Sequence, residues 1–179
     1  MKKKAIAGKD SLVLFFIKYH GMAPLVESLS PEAVIRLLRK NVEECESIIH
    51  ETGGTIFRVE GHCILAAWNE RECKASNPAY NQIARTLIER LQESTCRITQ
   101  KSSSPITVSI SMTKGECVFE RIGQDYTHVF GAPVTKVMQI SKSYTEAEGN
   151  VVFVDESLKE NWIEYSPEPV NGGVYKVKM

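Results

Sequence analysis

The stretch IFRVEGHCILAAWN, residues 56–69, sets a histidine beside a cysteine between two apolar runs. The Glu60-Gly61-His62 step reads as the tight turn of a β-hairpin, with His62 and Cys63 at its tip. If the first strand lies beside this hairpin, His20 joins His62 and Cys63, and the three offer a soft-metal site. None of their spacings is a recognised ligand pattern, and a histidine filling a turn beside a small buried cysteine accounts for the same residues. Cys63 with His62 or His128 would make a nucleophile and base, a geometry that adjacency in sequence does not supply. Lys18 and Arg58 are a second constellation. Two cations there would hold a phosphate, a bicarbonate or a nucleotide, against the plainer arrangement of an ion pair with a neighbour such as Glu60. Gly53-Gly54 and Gly61 read as turn devices, since no glycine-rich loop with a trailing Lys-Ser/Thr occurs.

The bulk numbers bound the frame that positions these residues. A chain of 179 residues suits one globular domain over residues 1–179, with a core that needs no metal or disulfide staples. Hydrophobic residues at 42% and charged residues at 25% argue against disorder. Lys+Arg 22 against Asp+Glu 22 gives no net charge to draw nucleic acid or an anionic membrane, and Lys2-Lys3-Lys4 reads as part of a solvated, flexible tail over residues 1–10. Five scattered cysteines without Cys-x-x-Cys spacing favour neither a disulfide framework nor a zinc knuckle. No apolar run reaches the ~20 residues of a membrane helix, and no secretory leader is recognisable. The expectation is a cytoplasmic protein, or a soluble piece of a longer one.

Hydrophobic periodicity gives the elements. Ser11 to Lys18 is an apolar run of strand length, buried on both faces. Ser30 caps a helix with Pro31 in its first turn; Val34, Leu37, Leu38, Val42, Cys45, Ile48 and Ile49 recur at helical spacing until Gly53-Gly54. The hairpin follows, then a helix whose stripe is Ile83, Ala84, Leu87, Ile88 and Leu91. Lys101 to Pro105 reads as a loop and ITVSISMT as a half-exposed strand. Lys114-Gly115 then turns into a separate strand, ECVFERI. A helix from Ala132-Pro133 to about Ala147, a strand NVVFVD, a short helix ESLKENW and a closing strand complete the chain. Hairpins alternating with amphipathic helices predict an α+β fold: a ferredoxin-like, mainly antiparallel sheet with helices packed on it.

With this order in place, four segments resemble the class III adenylyl/guanylyl cyclase homology domain. VLFFIKYHGM resembles the family's VLFADIxGFT, and GGTIFRVEGHCILAAW resembles GGxxxKTxGDxxLAxF without gaps. SISMTKGECVFERIG resembles RIGIHTGxVxxGxIG, and YTHVFGAPVTKVMQIS more loosely resembles YTVIGDxVNxAARLE. The LAAW ending is most similar to the soluble, bicarbonate-responsive branch. The resemblance implies a palm-like cyclase fold and head-to-tail pairing, with itself or with another cyclase domain. It also implies attack of a ribose 3′ oxygen on an α-phosphate, assisted by two Mg²⁺ ions on two aspartates.

Those aspartate positions hold Lys18 and His62. A charged lysine does not ligate Mg²⁺, and imidazole is a poor ligand for a hard cation. The base-reading lysine matches Arg58. Its partner falls at Thr127 if Tyr126-Thr127 sets the register, or at His128 if Gly131 does. With Gly131 as anchor, the ribose-orienting asparagine becomes Thr135 and the phosphate-stabilising arginine becomes Gln139. Losing one such electrostatic contact typically costs on the order of 10²–10³ in rate. The resemblance with these replacements leads to the expectation of a domain without turnover or cofactor, serving regulation or dimerisation in intracellular signalling. The alternatives are a small-ligand sensor for nucleotide, phosphate or bicarbonate, and an active cyclase with non-standard residues.

Overall fold

The computed structural model of the chain describes residues 7–71, 79–99, 106–122, 126–142 and 149–179. In chain order the elements are β1 (Ala7–His20), α1 (Met22–Ser28), α2 (Pro31–Glu51), β2 (Thr55–Glu60), β3 (Cys63–Asn69), α3 (Tyr80–Thr99), β4 (Thr107–Ile122), β5 (Tyr126–Phe130) and α4 (Ala132–Ser141). There follow β6 (Val151–Asp155), a 3₁₀ helix (Glu156–Tyr165), β7 (Glu168–Pro169) and β8 (Val174–Lys178). The strands form a single sheet in the order β2-β3-β1-β4-β6-β8-β7, with β5 paired to β4. Pairing is antiparallel except between β4 and β6. The α+β, mainly antiparallel architecture expected from the sequence is therefore present, and β2-β3-β1-β4 is its ferredoxin-like core.

β1 lies at the centre of that core, and both of its faces are covered. Val13, Phe15, Ile17 and Tyr19 enter one apolar cluster with Leu37, Ile49 and Leu87 of α2 and α3. Leu12, Leu14 and Phe16 enter another with Leu65, Cys117 and Val137, the last from α4. Two-sided burial is why the run is continuously apolar rather than alternating.

Several expectations are corrected. Ala7 to Asp10, read as part of a flexible tail, pair with Glu120 to Cys117 and belong to the sheet. ITVSISMT is not half-exposed: Ser109, Ser111 and Thr113 are buried, because α4 packs on β4 and its Ile140 joins Val151 and Phe153 of the neighbouring β6 in an apolar cluster. Lys114-Gly115 makes no turn, since β1 pairs without a break along β4 from Thr107 to Glu120. A side chain at Gly115 would meet Pro133 Cγ at 2.8 Å, so the glycine serves the close approach of α4. The short helix at ESLKENW is a 3₁₀ helix. α4 is described only to Ser141; its expected continuation to Ala147, and the loop at Lys101 to Pro105, fall outside the described residues. α1, β5 and β7 have no counterpart in the sequence reading.

α2 begins as its sequence dictates. Ser30 Oγ accepts from the Ala33 amide at 3.3 Å, and Pro31 occupies the first turn. At its far end the Trp68 indole N–H donates to Thr52 Oγ1 at 3.1 Å, and the ring packs on Phe15 with centroids 4.5 Å apart. Gly54 fits beneath that indole: a Cβ there would stand 2.5 Å from Trp68 Cε2 and 2.8 Å from Ile49 Cγ2. Both neighbours are held in the core, so Gly54→Ala should cost about 1–3 kcal/mol. A urea titration should show the midpoint falling with an unchanged slope; an unchanged midpoint would show that the indole yields freely.

Candidate functional site

Antiparallel pairing aligns the side chains of one sheet face in rows. One row runs Glu60, Cys63, Lys18, Ser109, Val151 across β2, β3, β1, β4 and β6. The next runs Arg58, Leu65, Phe16, Ser111, Phe153. Arg58 reaches that row because a bulge between Ile56 and Arg58 inserts an extra residue into β2. The hairpin tip is tied to the end of β1 by the Tyr19 amide, which donates to the His62 carbonyl at 3.0 Å. The end of β1, with Lys18 and His20, thus lies beside the hairpin tip, with His62 and Cys63, at one end of the sheet.

Their chemistry is that of a small basic cluster. His20 is buried, and its Nε2 lies 2.9 Å from Ser109 Oγ. Burial, then the charges of Lys18 and His62, push its pKa down to about 4. Burial also raises the Cys63 thiol, against the pull of Lys18, so it does not have the character of an activated nucleophile. Among the described residues, no three His, Cys, Asp or Glu side chains converge as a metal-binding group.

The remaining candidates lie elsewhere on the same side of the fold or outside it. Arg58 is exposed and stands 3.6 Å from Glu60, the ion pair weighed against anion binding. β5 approaches β2. Thr127 there lines a pocket of about 210 Å³ with Phe57, Thr55, Leu12, Asn69 and Phe119. His128 stacks on Phe130, with ring centroids 5.9 Å apart and planes 14° apart. Thr135 and Gln139 are exposed one turn apart on α4.

One polar centre escaped the sequence reading. Asp155, buried at the end of β6, accepts from Thr113 Oγ1 at 2.9 Å, Ser157 Oγ at 3.0 Å and Lys136 Nζ at 2.7 Å. Burial works to raise its pKa, but the hydrogen bonds from Lys136, Thr113 and Ser157 outweigh it and hold the carboxyl below its ordinary range. The contact pins α4, beside Thr135, to the end of the interior strand β6. An aspartate ending the apolar run VVFVD was its only sequence signal.

His20 gives the site a pH signature. The unfolded chain takes up a proton on this histidine near pH 6.5, the folded protein only near 4. Between those values the unfolded state binds more protons, so stability falls as pH drops, by on the order of 2–3 kcal/mol across the window. His20→Gln keeps a polar partner for Ser109 and should flatten that part of the curve; denaturation at stepped pH measures it. An identical slope in the variant would contradict a buried neutral imidazole.

No protein-family model matches the sequence, nor does any curated protein sequence. Solved structures do match. The crystal structure of the guanylyl cyclase Cya2 is 19% identical, with 96% of this chain and 93% of that one covered at a TM-score of 0.73. The adenylyl cyclase CyaB from P. aeruginosa is 16% identical, with 97% and 96% covered at 0.73. The non-canonical dimeric guanylyl cyclase domain of the RhoGC fusion protein from the aquatic fungus Blastocladiella emersonii is 16% identical, with 98% and 99% covered at 0.72. Over nearly its whole length, this chain has the fold of class III adenylyl and guanylyl cyclase domains.

Proposed function

We propose that the chain is a catalytically silent cyclase homology domain that acts by pairing, as a regulatory module in cytoplasmic signalling. The observation that carries this reading is the occupancy of one end of the sheet. Where the resemblance puts two metal-binding aspartates, Lys18 and His62 stand together beside a buried His20. An ammonium there repels a divalent cation, and stripping water from Mg²⁺ needs carboxylate oxygen in return. Thr135 and Gln139, at the ribose- and phosphate-handling positions, bring no charge to a transition state. In a two-half arrangement one partner supplies the metal carboxylates and the other the base- and phosphate-reading groups; this chain supplies neither complete set.

Pairing is supported by the β4–β5 hairpin. Val118 and Phe130 are cross-strand partners on it and are 48% and 49% exposed, an apolar pair that a second copy or another cyclase domain would cover. The RhoGC domain is described as dimeric in one solved structure and as monomeric in another.

Incubated with ATP or GTP and Mg²⁺ or Mn²⁺, the purified protein should release no cyclic nucleotide above a blank. Sedimentation at micromolar concentration should show a dimer, which Phe130→Glu converts to a monomer without loss of fold. Turnover would sink the silent reading, and a wild-type monomer at every concentration would sink the pairing.

A further inference from the structure

Lys18 has an unusual position for a lysine. It is half-buried near the end of the interior strand β1, yet among the described residues no carboxylate or hydrogen-bond partner meets its ammonium group. Its cross-strand neighbours are Cys63, a thiol kept neutral by burial, and Ser109, whose hydroxyl engages His20. Glu60 occupies the far end of the same row but pairs with Arg58. In the adjacent row the Ser111 hydroxyl is buried without a hydrogen-bond partner. The fold therefore holds a partly desolvated cation and an unused hydroxyl on one sheet face, and no anion among the described residues balances them. Leaving a charge and a polar group in that condition is costly, and the cost falls when an anion arrives from solvent. The way in is open, because Gly61 and His62 are exposed at the tip.

We infer that Lys18 marks a binding site for a small oxyanion of the phosphate or carboxylate kind, held without a metal. The Lys18 ammonium supplies the charge, and a ring N–H of His62 supplies a second donor from the hairpin tip. Ser109 and His20 stiffen the floor beneath them. The inference rests on the reading that no divalent ion is held here, and it adds a ligand that the pairing role does not require.

Thermal unfolding of the full chain in EDTA, at pH 7.5 and matched ionic strength, tests it with sodium phosphate, sodium acetate and sodium chloride. At ten times its dissociation constant, phosphate or acetate should raise Tm by about 3–6 °C over chloride. Lys18→Met should abolish the shift while melting cooperatively. Lys18→Arg, which keeps the charge, should retain most of it. The double variant Arg36→Gln/Lys40→Gln, on the basic outer face of α2, should respond as the wild type does. No shift with either oxyanion overturns the inference, as does a shift that survives Lys18→Met. Phosphate and acetate separate the two ligand kinds by which gives the larger shift. A response that appears only after Mg²⁺ is added overturns the metal-free premise instead, and the cyclic-nucleotide assay reports the failure of the silent reading separately.

Discussion

The pairing of β1 with β4 is the constraint from which the rest of the fold follows. Fourteen residues, Ala7 to His20, lie antiparallel to Glu120 through Thr107, and β3 closes the other edge of β1 from Leu12 to Lys18. A strand paired on both edges and covered on both faces has to be apolar throughout its middle, which Leu12 to Ile17 satisfies. Because side chains alternate strictly, this register also decides that Lys18 emerges on the α4 side of the sheet, opposite the α2–α3 layer. A slip of one residue would turn Lys18 into the core.

Much of this architecture was legible in the sequence, for reasons that differ by element. α2 and α3 announce themselves because each buries a single stripe, and Ser30, Pro31 and Gly53-Gly54 mark the ends of α2. The β2–β3 hairpin is visible as two runs around one glycine. β4 was misread because Ser109, Ser111 and Thr113 look like a solvent face. They are buried hydroxyls under a second layer, and only tertiary packing reveals it. α1 is short, and short elements carry weak periodicity; the 3₁₀ helix is legible as a helix, but its tighter winding is not.

The site was legible in part. The approach of the end of β1 to the hairpin tip could be anticipated from strand adjacency, and the ion pair of Arg58 with Glu60 from their alternation along β2. Asp155 could not, since its partners Thr113, Lys136 and Ser157 come from three other segments. What distinguishes this end of the sheet is a lysine, Lys18, set across from Cys63 and Ser109. The cyclase-like fold keeps its backbone geometry at 14–19% identity to solved cyclase structures, and that geometry tolerates an ammonium where the resemblance calls for a carboxylate.

The unbroken course of β4 ties together two ends of the molecule that sequence reading had separated. Ser109, which steadies His20, and Val118, half of the apolar pair on the β4–β5 hairpin, belong to one ladder spanning roughly 30 Å at ~3.4 Å per residue. The strand that carries the exposed Val118 is thus the strand that sets Ser109 beside Lys18, with no turn at Gly115 between them.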